Sequence, residues 1–321
     1  MGLRLCALVL FLGFVGAVPR SRAEDLFVVC QDGSSISRVD TRTNAVIASK
    51  PVDAGPAMIA ASPDGKYLYV THPDHGKISK IEAEHLSVLS VFQFDGSPFA
   101  VMEDPNNRFL YVTDWNKDRV AKIDTEGGTL RSEVAVGRKP AGLVLDRQGA
   151  HLYVANRESH SVSVIDTNDM HVIASLGVGE APFALALSPD DKILVVANVR
   201  SGDATIIDTA KLIVLARVET GAAPYGAAVT SASDRALISD QHEDSLEVIK
   251  LATRRVSAPI KIGRYPETVV IGANRAYVAN WFSGDVSVID LSSERELTRI
   301  KLCEGPRGMV LSNPKTSISG R

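Results

Sequence analysis

The amino-acid sequence predicts an all-β fold, a seven-bladed β-propeller whose four-stranded antiparallel blades are closed into a ring by strand exchange between the chain termini. Three sequence markers carry this prediction, because they recur in phase along the 321 residues. Repeats of about 40 residues that each hold four short strands are typical of propellers. A linear β-solenoid, built from shorter coils of parallel strands, is the less favoured alternative.

The first marker is a β-rich segment such as the Leu-Tyr-Val-Ala-Asn sequence at residues 152–156. Its copies begin at Leu26, Leu68, Leu110, Leu152, Leu194, Leu237 and Ala276, and the first five starts are 42 residues apart. The second marker is a proline, found at Pro56, Pro98, Pro140, Pro182, Pro224, Pro266 and Pro306. The third is an acidic residue that closes a β-rich run, found at Asp40, Glu82, Asp124, Asp166, Asp208 and Asp290, with Lys250 as the exception.

Each repeat divides into four predicted strands, which the fourth copy illustrates. Residues 152–155 form a short β-rich run, and residues 161–166 alternate small polar residues with Val and Ile, as a half-buried strand does. Residues 172–178 and 183–187 supply the other two strands, and the last is small and apolar, as suits a strand near the axis. Turn sequences such as Pro-Asp-Gly at 63–65 separate the copies.

The chain termini predict how the ring closes. The first marker segment begins at Leu26 with no innermost strand before it, whereas residues 308–312 form an innermost-type strand with no partner strands after it. Blade 1 should therefore combine residues 308–312 with three strands from residues 26 to about 50, which removes exposed sheet edges.

These segments resemble the YVTN-type β-propeller repeat. The resemblance rests on residues 152–156, on Ser-Val-Ser-Val-Ile-Asp-Thr at 161–167, and on Tyr-Val-Thr at 69–71 and 111–113. It implies the propeller fold and relatives among periplasmic YVTN proteins, surface-layer proteins, propellers associated with quinone-dependent alcohol catabolism and, more distantly, the large subunit of methylamine dehydrogenase. The WD-type propeller is less favoured, since its signatures do not recur and Trp115 and Trp281 lie in predicted loops without a following Asp.

The N-terminal residues predict export. Arg4 precedes an apolar run at residues 8–18 that is short for a membrane span, and Ser21-Arg22-Ala23 offers a cleavage site before Glu24. We therefore expect a signal peptide at 1–23, a propeller at 24–313 and a tail at 314–321, with a periplasmic or secreted location and no transmembrane segment in the mature chain. An uncleaved N-terminal anchor is the alternative.

The net charge disfavours a nucleic-acid partner. The formal net charge is −3, and removal of residues 1–23, which hold three arginines and no acid, changes it to −6. Phosphate binding needs a basic surface.

Strand direction sorts the connections onto two sides of the predicted ring. The Pro-Asp-Gly and Asp-Thr turns share one side, here called the turn face. The loops after each Tyr-Val-Ala-Asn segment share the other side with the Gly-x-x-Pro loops, and this side is called the loop face. Binding residues are more often carried by variable loops on a rigid scaffold, which favours the loop face.

The residue after each repeat proline should lie at the mouth of the channel on the loop face. These residues are Ala57, Phe99, Ala141, Phe183, Tyr225, Glu267 and Arg307. An apolar arc of Phe99, Phe183 and Tyr225 opposite Glu267 and Arg307 predicts a small-molecule site, where Arg307 holds a carboxylate or Glu267 an amine. The alternatives are rings that only plug the channel and a charged pair that is only structural.

Histidine and cysteine give two further expectations. His72, His75, His160 and His242 fall in predicted loop-face loops, and His72, His75 and His242 are weak metal candidates. Because no further ligand set accompanies them, we expect solvated histidines and no metal. Cys30 and Cys303 lie where the ring closes and are expected to form a disulfide in an oxidising compartment, with two separate thiols as the alternative.

Three function classes follow. The favoured one is an exported binding or scaffold propeller, without a cofactor, that engages a small ligand or a protein partner through the loop face. The second is an accessory subunit or partner of a periplasmic quinoprotein (PQQ-type) dehydrogenase. The third is an enzyme, such as a propeller lactonase or a metal-dependent oxidase. The chain lacks a Gly-x-Ser-x-Gly elbow and a Gly-rich phosphate loop, which favours binding over catalysis.

Overall fold

The computed structural model describes residues 24–312, which form twenty-nine β-strands and two short 3-10 helices, η1 (Pro73–His75) and η2 (Arg157–Ser159). The strands build seven separate antiparallel sheets. The predicted signal peptide at 1–23 and the predicted tail at 314–321 lie outside the described residues. None of the described helices is long and apolar enough to cross a membrane.

Each sheet is one blade, and the strands are numbered along the chain. From axis to rim, blade 1 consists of β29 (Pro306–Ser312), β1 (Asp25–Cys30), β2 (Ser35–Asp40) and β3 (Ala45–Pro51), and blade 2 of β4 (Ile59–Ala61), β5 (Tyr67–His72), β6 (Lys77–Glu82) and β7 (Ser87–Gln93). Blade 3 consists of β8 (Pro98–Glu103), β9 (Phe109–Asp114), β10 (Arg119–Asp124) and β11 (Leu130–Ala135), and blade 4 of β12 (Pro140–Leu145), β13 (His151–Asn156), β14 (Ser161–Asp166) and β15 (His171–Gly177). Blades 5 to 7 consist of β16 (Pro182–Leu187), β17 (Ile193–Asn198), β18 (Asp203–Asp208) and β19 (Ile213–Glu219); β20 (Pro224–Val229), β21 (Arg235–Asp240), β22 (Ser245–Lys250), β23 (Arg255–Val256) and β24 (Ile260–Lys261); and β25 (Pro266–Ile271), β26 (Arg275–Asn280), β27 (Asp285–Asp290) and β28 (Arg295–Lys301).

The structure therefore confirms the seven-bladed propeller. In blade 6 the rim strand is divided, since β23 and β24 both pair with β22. Blade 6 is also the blade in which Lys250 replaces the acid of the third marker. In the other blades that acid caps the turn, as Asp290 does by accepting the backbone N–H groups of Ser292 and Ser293 at 3.0 and 2.7 Å.

The hydrophobic core lies between the blades. The second strand of each blade is buried almost throughout because a neighbouring blade covers each of its faces, whereas rim strands such as β15 are largely exposed. One core cluster packs Phe27 and Ile36 of blade 1 against Leu68 and Ile81 of blade 2. Near the turn face, basic side chains form hydrogen bonds between neighbouring blades. Lys80 Nζ of blade 2, for example, donates to the Thr125 carbonyl of blade 3 at 2.8 Å.

The predicted strand exchange closes the ring. The last described strand, β29, pairs with β1, so that Asp25 lies opposite Ser312 and Val28 opposite Met309. The closing strand begins at Pro306, two residues before the predicted start. It occupies the axial position that the first strand of the repeat fills in the other blades.

A disulfide spans the same junction. Cys30 ends β1, Cys303 lies two residues after β28, and the two Cα atoms are 6.1 Å apart, within the range of disulfides. In three other blades the corresponding positions hold a glycine packed on an asparagine, namely Gly137–Asn156, Gly179–Asn198 and Gly263–Asn280. The cysteine pair thus takes the place of a contact that the repeat already provides.

Removal of β29 should unfold the protein. A chain that ends at Gly305 leaves one side of β1 unpaired and one face of blades 7 and 2 uncovered near the axis, so we expect loss of the cooperative thermal transition. The control is a chain that ends at Ser312, which keeps β29. Equal melting temperatures of the two chains, measured by circular dichroism, would show that the β1–β29 pairing is dispensable.

Loss of the Cys30–Cys303 disulfide should lower the free energy of unfolding. The bond closes a loop with a sequence separation of 273 residues, for which the chain-entropy estimate is about 5.6 kcal/mol. We expect Cys30→Ser to lower the free energy of unfolding by about 3–5 kcal/mol, and urea titrations of both proteins measure it. Two alkylatable thiols in the unreduced, denatured wild type would contradict the pairing.

Candidate functional site

The seven residues that follow the repeat prolines form a ring at the loop-face end of the channel. Hydroxyls of three neighbouring blades, on Thr71, Thr113 and Ser239, fix the backbone of three ring residues. Thr71 Oγ1 donates to the Phe99 carbonyl at 2.6 Å and accepts the Met58 N–H at 3.1 Å. Ser239 Oγ does the same for Glu267, donating to its carbonyl at 2.6 Å. The ring residues are thereby held at fixed heights along the axis.

The three aromatic members of the ring contact one another. The ring centroids of Phe183 and Tyr225 are 4.1 Å apart, and those of Phe99 and Phe183 are 5.5 Å apart in an edge-to-face arrangement. Phe99 and Phe183 reach each other across blade 4 because the member between them is Ala141. The aromatic arc predicted from the sequence therefore exists as a packed cluster.

Arg307 lies at the centre of this cluster. Its guanidinium carbon is 5.4 Å from the centroid of Phe99 and 5.5 Å from that of Trp281. Its Nη2 donates to the Tyr225 hydroxyl at 3.0 Å, and its Nη1 donates to Gln31 Oε1 at 2.5 Å. These contacts fix the guanidinium, although 16% of the side chain remains exposed. We call Phe99, Phe183, Tyr225, Glu267 and Arg307 together the plug.

Glu267 is the buried acid of the plug. Its Oε2 is 3.6 Å from Arg307 Nε, close enough for an ion pair but too far for a hydrogen bond, and both atoms lack a hydrogen-bond partner. Its Oε1 accepts from Gln241 Nε2 at 2.8 Å. Burial raises the pKa of Glu267 to about 7, against the lowering effect of the Arg307 charge. Burial therefore favours the neutral acid form of Glu267 more than it is favoured in an exposed glutamate.

Four residues of the site were missed by sequence reasoning. Gln31, Trp115, Gln241 and Trp281 each follow directly after the second strand of a blade. The ring centroids of Trp115 and Phe99 are 5.2 Å apart, and the other three residues contact Arg307 or Glu267. A signal was present, since these four occupy one repeat position, as the five predicted residues do.

A cavity of about 320 Å³ lies on the channel side of the plug. Phe99, Phe183 and Tyr225 form one end of it, and all seven innermost strands contribute to its wall. Arg307 and Glu267 do not line it. The plug thus separates a charged, loop-face side from an apolar, channel side.

The metal candidates do not come together in the structure, and His72 is not in a loop. His72 ends β5 and is fully buried, because this strand position is covered in every blade. Its Nδ1 donates to the Ala54 carbonyl at 3.1 Å, so Nε2 accepts from the Ser79 hydroxyl at 3.0 Å. Burial lowers the pKa of His72. Both ring nitrogens are occupied in this arrangement.

The remaining histidines have ordinary surroundings. His75 in η1 and His242 after β21 are exposed, and His160 Nδ1 accepts the Ala181 N–H at 3.0 Å. Within residues 24–312, the group of three potential metal ligands that approach one another is Glu82, Glu84 and His85, on the surface of the turn face. Exposed acidic groups of this kind are common without a metal.

The fold and the plugged channel define a seven-bladed propeller of the YVTN type. Residues 106–310 match the family described as YNCE-like beta-propeller, and the chain belongs to that family. This confirms the resemblance drawn from the repeat motifs. No curated protein matches the sequence.

Several solved structures share the fold. Hydrazine synthase of Kuenenia stuttgartiensis is 19% identical, with a TM-score of 0.73 over 81% of this chain and 90% of that chain. A functionally unknown protein from Desulfotomaculum acetoxidans is 15% identical, with a TM-score of 0.79 over 91% and 100%. Dihydro-heme d1 dehydrogenase NirN in complex with DHE is 16% identical, with a TM-score of 0.67 over 93% and 77%. At these identities the likeness shows the fold alone.

Neutralisation of Glu267 should change the pH dependence of stability. Its pKa is about 7 in the folded protein against an ordinary 4.5, so its contribution to the free energy of unfolding is complete below 4.5 and is lost as pH rises through 7. Between about pH 5 and pH 8 this group should account for a fall of about 1–3 kcal/mol. In Glu267→Gln we expect a smaller fall, measured by urea unfolding.

Glu267→Gln should keep part of the pH dependence of the free energy of unfolding. Burial also raises the pKa of Glu103 to about 7, and Glu103 remains in Glu267→Gln. Identical pH dependence in the variant and the wild type would mean that Glu267 is ionised across the whole range.

Proposed function

We propose that the chain is an exported binding protein that recognises a carboxylate group at the loop face, with Arg307 as the recognising residue. The supporting observation is the fixed guanidinium, which is stacked between Phe99 and Trp281 and hydrogen-bonded to Tyr225 and Gln31. A guanidinium held in one orientation binds a carboxylate with two parallel hydrogen bonds and loses little side-chain entropy on binding. Displacement of the Gln31 amide would free one donor for this purpose.

A plug that only closes the channel does not need this charge. Replacing a buried ion pair by packed apolar side chains is often neutral or stabilising, so the Arg307–Glu267 pair is poorly explained by stability. The pKa of Glu267 near 7 adds a functional argument. When Glu267 is protonated, the charge of Arg307 is uncompensated and attracts an anion.

The carboxylate belongs either to a small free acid or to a protein partner. The surroundings of Arg307 favour the partner, because Trp, Tyr and Arg are the residue types that dominate protein interfaces. Phe282, next to Trp281 in the chain, is 61% exposed, and its ring packs against that of Tyr265 in a tilted arrangement with the centroids 4.7 Å apart. An aspartate, a glutamate or a C-terminus of the partner would supply the carboxylate.

Different observations support the proposed location and the alternative functions. The composition of residues 1–23 and the Cys30–Cys303 disulfide support a periplasmic or secreted location. An accessory role beside a periplasmic quinoprotein dehydrogenase is supported only by fold likeness to redox enzymes such as hydrazine synthase and NirN. A metal-dependent oxidase has little support, since the candidate histidines lie in separate blades or are committed to structural hydrogen bonds. A lactonase is likewise supported only by fold likeness, to a putative 6-phosphogluconolactonase from Bacteroides uniformis that is 13% identical, with a TM-score of 0.77 over 90% of this chain and 99% of that chain.

Replacement of Arg307 should abolish recognition of the carboxylate. We expect Arg307→Ala to lose carboxylate binding. Arg307→Lys keeps the charge but not the two parallel donors of the guanidinium, so we expect it to weaken carboxylate binding about tenfold. Calorimetry with acetate, succinate and benzoate tests the free acids. Capture from periplasmic extract on the immobilised mature chain tests the protein partner.

Arg42→Ala is the matched control, because Arg42 lies on the turn face with 72% of its side chain exposed. It should bind as the wild type does. If Arg307→Ala retains every ligand and partner that the wild type binds, the loop-face carboxylate site is refuted. Circular dichroism of each variant separates loss of binding from loss of fold.

A further inference from the structure

The axial cavity differs chemically from the loop face. Its lining residues include no charged side chain, and their side-chain hydroxyls are those of Thr268 and of Tyr225, which accepts from Arg307. A charged ligand placed there would lose its hydration without an ionic partner, at a cost of several kcal/mol. The occupant must therefore be uncharged and mainly apolar.

The end of the cavity at the plug favours an aromatic occupant. Phe99, Phe183 and Tyr225 present ring surfaces that already meet in edge-to-face and tilted arrangements. A further ring adds to such a cluster at favourable centroid distances. Arg307 and Glu267 lie outside the lining, so their charges are separated from the cavity by these rings.

The wall offers hydrogen bonds to an uncharged polar group. Each innermost strand pairs with a neighbour on one side only, so its other backbone edge faces the axis. Glycine allows neighbouring innermost strands to approach closely, since a Cβ on Gly142 of β12 would lie 2.5 Å from the carbonyl oxygen of Phe183 on β16. A hydroxyl or carbonyl on the occupant finds backbone partners there, as ligands in apolar pockets commonly do.

The volume limits the size of the occupant. About 320 Å³ is roughly twice the volume of an engineered apolar cavity, about 150 Å³, that takes up benzene. Two fused rings with one small substituent match this space.

The turn face supplies the entrance. The plug closes the loop-face end, whereas the last residues of five innermost strands are partly exposed at the other end, namely Ala61, Leu145, Leu187, Val229 and Ile271. Glu103 and Ser312, which end the other two innermost strands, are buried. Ala61 both lines the cavity and belongs to this partly exposed rim. Access therefore does not require movement of the plug.

We infer that the axial cavity is a second binding site, which takes a neutral two-ring aromatic molecule from the turn face. This site is independent of the loop-face proposal. Its occupant lies against the aromatic rings of the plug from the channel side, whereas a carboxylate would meet Arg307 from the loop face.

The test compares two probes that share a ring system. We expect 2-naphthol to bind the mature chain at one site, and 2-naphthoate, which is anionic at neutral pH, to bind at least about tenfold more weakly. Ala61→Phe should weaken the binding of 2-naphthol about tenfold or more, because the larger side chain blocks the entrance of the cavity. Ala45→Phe, which adds the same ring on the exposed rim strand β3, should leave the affinity unchanged.

A direct measurement keeps the inference testable if Ala61→Phe folds poorly. Nuclear Overhauser contacts should connect 2-naphthol to the ring protons of Phe183 and Tyr225 in the wild type. The inference is overturned by contacts to Trp281 and Phe282 instead, by equal affinity for 2-naphthoate, by unchanged binding in a folded Ala61→Phe, or by no saturable binding at about 1 mM.

Discussion

The mutual burial of neighbouring blades is the constraint on which the rest of the structure depends. A single blade has two apolar faces, and each face is covered only when another blade packs against it. The ring must therefore close, and the β1–β29 pairing provides the closure. The plug depends on the same constraint, because its five side chains come from five different blades and meet only when the ring is complete.

Much of this fold was predictable because the repeat places equivalent residues at equivalent heights. Proline begins most innermost strands and an acid caps most rim turns, so the phase of the markers gives the strand order and the closing strand. His72 was assigned to a loop for a specific reason. The end of the second strand looks polar in several blades, as Asn156 and Asp240 show, yet packing from the next connection buries it.

The site was predictable only in part. Phe99, Phe183, Tyr225, Glu267 and Arg307 share one repeat position, which places them on the same end of the channel. Their partners follow the second strand, where the seven blades carry Gln31, Pro73, Trp115, Arg157, Val199, Gln241 and Trp281. Which of these reach the axis depends on side-chain length and on small neighbours such as Ala57 and Ala141, and a repeat pattern does not contain that information.

The position of the closing strand has a consequence for biosynthesis. The ribosome makes β1 first and β29 last, so during almost all of synthesis β1 lacks the strand with which it pairs on its axial side. A nascent chain that lacks β29 cannot close the ring, because blade 1 is then without its innermost strand. The Cys30–Cys303 bond, which joins residues 273 apart, can therefore form only after blade 7 has been translated and lies beside blade 1.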